Sequence, residues 1–238
     1  MLDSLKIKIF ADGADLAGIR ALAENPMIKG FTTNPTLMRK AGVDDYEAFA
    51  RDVLAAVGGR PVSFEVSADD FDAMERQARK IATWGDNVTV KIPVTNTKRE
   101  FAGPLIARLS GAGVKVNVTA VLTVDQVRGV AAALAHDAPA VVSVFAGRIA
   151  DTGRDPVPVM KEALDILKAK PKAELLWASP REILNVFQAD AVGCHIITVT
   201  ADVLGKLKLI GKDLAEYSLE TVKMFHGDAA KAGYEIET

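Results

Sequence analysis

An alternation of strand-like and helix-like segments runs through this chain and leaves few folds open to it. Runs rich in β-branched and apolar residues occupy 6–12, 30–34, 61–66, 87–95, 115–120, 140–148, 174–179 and 195–202. The seven gaps carry Ala, Leu, Met and charged residues at helical spacing over 14–24, 45–57, 71–84, 98–109, 124–136, 157–170 and 180–189, so each strand but the last leads into a helix. Strands joined through a helix pair in parallel, because the right-handed crossover needs the helix to return the chain. Eight such units in 238 residues predict closure into a (β/α)₈ TIM barrel, which takes ~250 residues, over an open sheet. No Pro-, Gly- or Ser-rich linker interrupts the pattern, so residues 1–238 read as a single domain. Beyond the eighth strand, Leu204, Leu207, Ile210, Leu214, Tyr217, Leu219, Val222 and Phe225 predict an amphipathic C-terminal helical extension over about 203–232. It would either cover the barrel end or contact another subunit.

Alternate residues of a barrel strand face the helices and the barrel interior. In the fourth run Val88, Val90, Ile92 and Val94 share one face, which turns Thr89 and Lys91 inward. The same parity turns Asn117 and Thr119, Ser63 and Glu65, Ser143 and Phe145, and Thr32 and Asn34 inward. The first run ends at Asp12, and the seventh places Ser179 and Arg181 in one parity. A barrel interior built only for packing takes branched aliphatics at such positions. Taken singly, each residue has a structural use: Asp12 could cap a helix starting near Asp15, Asn34 could brace the turn before Pro35, and Thr119 could bond a neighbouring strand. The stem of Lys91 could lie in the sheet with its head in water. Burying them together costs several kcal/mol unless they are paired or used. Their convergence at the C-terminal strand ends, where barrel enzymes work, predicts an active site. Desolvation favours the neutral amine of a lysine held there, the form that attacks carbonyls.

Composition narrows the function classes. Hydrophobic residues at 49% and charged residues at 25% predict a sizeable core and no disorder. A net charge of -2 with pI near 6.0 argues against nucleic acid or anionic membrane as partners. The single cysteine, Cys194, forms no intrachain disulfide and fits a reducing cytoplasm. His195 follows it, but strand neighbours point to opposite faces, which speaks against a nucleophile and base pair. Its three histidines show no zinc-ligand spacing. The start, Met1-Leu2-Asp3-Ser4-Leu5-Lys6, reads as no leader, and no segment reads as a membrane span. Gly-x-Gly-x-x-Gly and phosphate-loop motifs are absent from the sequence.

Seven motifs then occur in order: Phe10-Ala11-Asp12, Thr32-Thr33-Asn34-Pro35-Thr36-Leu37, Phe64-Glu65-Val66, Val90-Lys91-Ile92-Pro93-Val94-Thr95, Asn117-Val118-Thr119, Ser143-Val144-Phe145-Ala146-Gly147-Arg148-Ile149 and Ala178-Ser179-Pro180-Arg181. Over most of its length the chain resembles the transaldolase family, in the short branch that also holds fructose-6-phosphate aldolases. The resemblance implies that Lys91 forms a Schiff base with a ketose carbonyl and that Asp12 takes the C4 hydroxyl proton as C3–C4 breaks. It implies that Glu65 and Thr119 hold a water and relay protons during imine formation. Asn34 and Asn117 match amides that orient the dihydroxyacetone unit, Ser143 matches another substrate-contacting hydroxyl, and Arg148, Ser179 and Arg181 match contacts to the phosphate. No metal or organic cofactor is implied, since the lysine supplies the electron sink. Short aldolases typically carry a tyrosine on the sixth strand and a glutamine on the third, whereas Phe145 and Glu65 here are similar to the transaldolases.

The resemblance thus implies a cytoplasmic transaldolase of the pentose phosphate pathway, moving a dihydroxyacetone group from fructose 6-phosphate or sedoheptulose 7-phosphate to an aldose phosphate. A lyase releasing dihydroxyacetone and a non-catalytic sugar-phosphate-binding barrel are the alternatives. The short branch also implies a homo-oligomer, a pentamer or a decamer of two rings. Two departures from the family pattern are Pro180 and the segment Asp151-Thr152-Gly153-Arg154-Asp155, within which Arg154 is expected to pair with Asp151 or Asp155.

Overall fold

The computed structural model of the chain describes residues 4–234 and 236; the reading of Met1, Leu2 and Asp3 lies outside them. Strands β1 (Lys8–Asp12), β2 (Ile28–Thr32), β3 (Val62–Glu65), β4 (Val88–Pro93), β5 (Val116–Val121), β6 (Ala140–Val144), β7 (Ala173–Trp177) and β8 (Ile196–Thr200) pair in parallel in chain order, and β8 closes on β1. The expected (β/α)₈ barrel is therefore observed.

Around it run α1 (Leu16–Ala23), α2 (Pro35–Lys40), α3 (Tyr46–Ala56), α4 (Phe71–Ala82), α5 (Gly103–Gly111), α6 (Val124–Ala133), α7 (Ala146–Asp151), α8 (Val157–Leu167), α9 (Leu184–Val192), α10 (Ala201–Leu204), a 3-10 turn over Gly205–Leu209, and α11 (Leu214–Ala232). Asp15, Asp45, Asp70 and Thr123 each accept a first-turn N–H at a helix start, which satisfies donors that the helix itself cannot. Asp15 does the capping at α1, so Asp12 is left free for another role. The outward strand face packs under the helices: Val62, Phe64, Val90, Ile92, Val116, Val118, Val142 and Val144 are fully buried, each worth ~1.5–3 kcal/mol of transfer free energy. Inside, Phe10, Leu176, Ala178 and Ile196 form a separate apolar cluster. There the Phe10 ring lies against Gly30, where a Cβ would come 2.5 Å from the ring. Polar inward residues gather at the C-terminal strand ends, where Leu176 and Ala178 of this cluster meet them.

Several boundaries differ from the sequence reading. The expected strand over 140–148 stops at Val144, and the chain turns directly into α7. The predicted helix over 98–109 begins only at Gly103, because Asn96 Oδ1 accepts from the N–H groups of Lys98 and Glu100 and closes a turn instead. The expected helix over 180–189 starts at Leu184. Helix α2 was not anticipated; Asn34 caps it through Leu37 N–H at 3.0 Å, with Pro35 at its first position. The strand parity assigned to Ser179 and Arg181 does not hold, since β7 ends at Trp177 and Ser179 adopts φ 58°. At the C-terminus no residue of α11 is buried, and Leu214, Val222, Met224 and Phe225 are exposed. Covering the barrel end is not its role in the monomer.

Candidate active site

A cavity of about 650 Å³ opens at the C-terminal ends of the strands, and the eleven residues to which the family resemblance gives a role or comparison line it: Asp12, Asn34, Glu65, Lys91, Asn117, Thr119, Ser143, Phe145, Arg148, Ser179 and Arg181; the inward Ser63 and Thr89 lie at the other end of the barrel. Lys91 reaches the floor from β4. Its Nζ lies 2.8 Å from Glu65 Oε2 and donates to the Thr33 carbonyl at 2.9 Å. The register that sets Glu65 beside Lys91 and Lys91 beside Asn117 places three inward polar side chains in one layer. The Lys91 side chain is only 8% exposed, so its head does not snorkel to water.

Asp12 accepts from Thr32 Oγ1 at 2.8 Å, and Thr32 Oγ1 sits 2.5 Å from Thr198 Oγ1. Burial raises the Asp12 carboxyl above the ordinary carboxylate range; the positive charge of Lys91 and the Thr32 hydrogen bond oppose the rise, and the negative charge of Glu65 adds to it. A carboxyl raised in this way is better matched to moving a proton near neutral pH. Beside it, Ser143 Oγ donates to Asn117 Oδ1 at 2.6 Å, and Asn117 Nδ2 donates to Ser63 Oγ at 3.1 Å. That chain fixes the orientation of the amide. Thr119 Oγ1 is buried without a hydrogen-bond partner, unlike the neighbouring-strand bond considered for it. A hydroxyl lining a cavity and lacking a protein partner is suited to a small polar guest. Asn34 spends its Oδ1 on the α2 cap, which leaves its amide donors for the cavity.

The rim comes from helix α7 and the loop after β7, which pack onto one another. Gly147 approaches so near to Ser179 that a Cβ would stand 1.5 Å from the Ser179 carbonyl oxygen, and Gly147 N–H donates to Ala178 O at 3.2 Å. Only glycine admits this contact. It brings Arg148, whose guanidinium lies 5.6 Å from the Phe145 ring centroid, to the side of Arg181. Arg181 grips Asp151, with Nε to Oδ1 at 3.0 Å and Nη2 on Oδ2. Asp151 is held below, and Arg181 above, their ordinary values by that contact. The expected ion pair of Arg154 with Asp151 or Asp155 is not formed among the described residues: Arg154 donates to Thr152 Oγ1 at 2.9 Å, and Asp151 belongs to Arg181.

Tyr46 and Thr198 were missed as supports of the site, while Thr32, expected to face inward, supports Asp12. Tyr46 Oη accepts from Glu65 N–H at 2.7 Å and donates to Glu65 O at 3.0 Å, a contact that no local sequence pattern announces. Cys194 is buried, its thiol pushed up to about 12, and His195 Nδ1 accepts from Leu175 N–H. Neither reaches the cavity. Among the described residues no three His, Cys, Asp or Glu side chains group as metal ligands, and no helix is long and apolar enough to cross a membrane.

The sequence model of a family described as Transaldolase/Fructose-6-phosphate aldolase matches residues 9–236. A "Probable transaldolase" of Lactiplantibacillus plantarum is 37% identical over 216 residues, covering 89% of this chain and 95% of the relative. One of Dehalococcoides mccartyi is 36% identical over 199 residues, covering 83% and 88%. Among solved structures, a protein of Coccidioides immitis described as of the dihydrodipicolinate synthase family superposes with TM-score 0.61 at 14% identity, covering 100% of this chain and 81% of that one; this likeness shows the fold alone. With a family match across nearly its whole length, the chain belongs to the transaldolase/fructose-6-phosphate aldolase family and is an enzyme of it.

Proposed function

We propose that this barrel, taken as one domain over 1–238, is a transaldolase that moves a dihydroxyacetone unit from a ketose phosphate to an aldose phosphate. The observation that carries the reading is the buried Lys91 ammonium, 2.8 Å from the Glu65 carboxylate, in a cavity also lined by Asp12 and Thr119. Lys91 passes a proton to the adjacent Glu65 carboxylate, and the resulting neutral amine attacks C2 of the ketose. Glu65 and Thr119 pass protons as the carbinolamine loses water, giving a protonated imine. Asp12 takes the C4 hydroxyl proton, C3–C4 breaks, its electrons collapse into the imine to give an enamine, and the first aldose leaves. An incoming aldehyde accepts the enamine C3 while Asp12 returns its proton to the new C4 oxygen, and water, activated by Glu65 and Thr119, then hydrolyses the imine to release the new ketose and the Lys91 amine. Asn34, Asn117 and Ser143 orient the three-carbon unit. Arg148, Ser179 and Arg181 anchor the distal phosphate, spending binding energy far from the reacting carbon. Phe145 has no proton to give the enamine, which favours transfer over release of free dihydroxyacetone.

Fructose 6-phosphate and sedoheptulose 7-phosphate are the proposed donors, in the cytoplasm and within the pentose phosphate pathway. Borohydride reduction with fructose 6-phosphate is expected to fix a three-carbon adduct on the peptide bearing Lys91; turnover with Lys91 unmodified would refute the mechanism. Rapid dihydroxyacetone release without an acceptor would instead support a lyase. Arg181→Ala is expected to weaken phosphorylated substrates far more than unphosphorylated ones, and equal losses would sink the phosphate assignment.

We also propose a homo-oligomer, a pentamer or a decamer, in which a second copy covers α11. A 19-residue helix with Leu214 79% and Phe225 63% exposed has too little packing to be stable alone. Light scattering of the intact chain and of a chain ending at Gly211 tests this: a ring for the first and a smaller species for the second are expected.

A further inference from the structure

Strand β3 leaves β2 one hydrogen bond sooner than the parallel ladder provides for. In such a ladder a residue that donates to one carbonyl of its neighbour accepts, in turn, from the residue two further along. Thr33 N–H donates to Ser63 O at 3.1 Å, so the Thr33 carbonyl is the acceptor due to Glu65 N–H. Tyr46, the first residue of α3, intercepts it: Glu65 N–H goes to Tyr46 Oη at 2.7 Å, and the same hydroxyl donates to Glu65 O at 3.0 Å. The Thr33 carbonyl is thereby left for Lys91 Nζ, at 2.9 Å.

We propose that Tyr46 is a positioning residue for the Lys91 and Glu65 pair. By taking the place of a ladder acceptor it fixes the Glu65 backbone at the strand exit and releases the Thr33 carbonyl to hold the lysine. The inference rests on the reading of Lys91 as the Schiff-base residue. The tyrosine is well placed for the task. Its ring meets Trp84 and Phe64 edge-on at 5.5 and 6.2 Å between centroids, which locks its direction. Burial pushes the phenol above its ordinary range, so the hydroxyl keeps the proton it donates to Glu65 O. The support is structural in form but catalytic in consequence: a shift of the strand exit moves both Glu65 and the carbonyl that holds Lys91.

Tyr46→Phe keeps the ring packing and removes only the oxygen. Glu65 N–H then loses its acceptor, and the ladder position at Thr33 O is the one open to it, at the expense of Lys91. Because a buried group left unpaired carries its full desolvation penalty, kcat and the rate of borohydride trapping are expected to fall about 10-fold. KM for fructose 6-phosphate stays within about two-fold, since no sugar contact is removed. In a Glu65→Gln background, which keeps the backbone N–H, the same substitution is still expected to slow borohydride trapping through Lys91. Unchanged kcat and trapping in Tyr46→Phe would overturn the proposal. So would a rise in KM that matches the fall in kcat, which would make Tyr46 a packing residue only. If the otherwise unmodified enzyme turns over without trapping at Lys91, the lysine reading itself fails and this inference falls with it.

Discussion

Replacing Asp12 by Asn should make the protein more stable as it becomes inactive. Burial raises the Asp12 carboxyl above its ordinary carboxylate value, against the opposing charge of Lys91 and the hydrogen bond from Thr32. Since its folded value lies above its unfolded one, the native state binds this proton more tightly than the unfolded chain does. Ionisation therefore costs stability: the penalty is absent below the unfolded value, grows as pH rises, and is complete above the folded value. An asparagine of the same shape still accepts from Thr32 Oγ1, which lies 2.8 Å from Asp12 Oδ1, but carries no charge to bury. Because Lys91 and Thr32 already offset part of the desolvation, the gain is a fraction of the several kcal/mol that a lone buried carboxylate costs. It is expected at about 1–2 kcal/mol, or roughly 2–8 °C in Tm for a chain of this size. Thermal unfolding of both proteins from pH 4 to 8 measures it, with retro-aldol activity expected to drop by about 10²–10⁴. The stability difference should widen with pH. An Asp12→Asn protein that melts lower at pH 8, or a difference that narrows as pH rises, would refute the assignment of a desolvated carboxylate.

Three further outcomes follow from single contacts. Gly147→Ala drives a Cβ to within 1.5 Å of Ser179 O and is expected to cost about 2–4 kcal/mol, read as a lower denaturant midpoint at unchanged slope; a neutral effect would mean that α7 and the loop after β7 do not press together. Asp151→Asn loosens Arg181, whose Nε and Nη2 edge it grips, and should raise KM for phosphorylated substrates by about 3–10-fold with kcat unchanged, a lost charge-assisted contact; an improved KM would mean that Asp151 competes with the phosphate. Phe145→Tyr places a phenol at the cavity wall lined by Phe145 and is expected to increase dihydroxyacetone release in the absence of acceptor, measured by coupled reduction; no rise would remove enamine protonation as the point at which transfer and cleavage part.

The barrel and its floor were legible because period two is a long-range signal written locally. Val88, Val90 and Ile92 on one parity oblige Lys91 onto the other, whatever the rest of the chain does. Residues beyond the strand ends escaped that rule. Ser179 and Arg181 reach the cavity, yet through a left-handed turn at Ser179 and not through strand alternation. The short helix α2 carries a local signal that sequence reading missed, the Asn34 cap on Leu37 N–H followed by Pro35, whereas α7 escaped for a related reason, the approach of Gly147 to Ser179. Such contacts are decided by where distant segments arrive. Tyr46 is the clearest case, since it lies 19 residues from the backbone it holds, and helix periodicity says nothing about the aim of its hydroxyl.

The contact of Gly147 with the Ser179 carbonyl also bears on how this enzyme can be redesigned. Helix α7 after β6 carries Arg148 and Asp151, the loop after β7 carries Ser179 and Arg181, and a single interlocked joint sets one against the other. They behave as one module with two strands of origin. A chimera whose crossover point falls between β6 and β7 would import half of that joint, whereas exchanging both segments from a single parent would change the choice of acceptor while leaving the Lys91 floor intact.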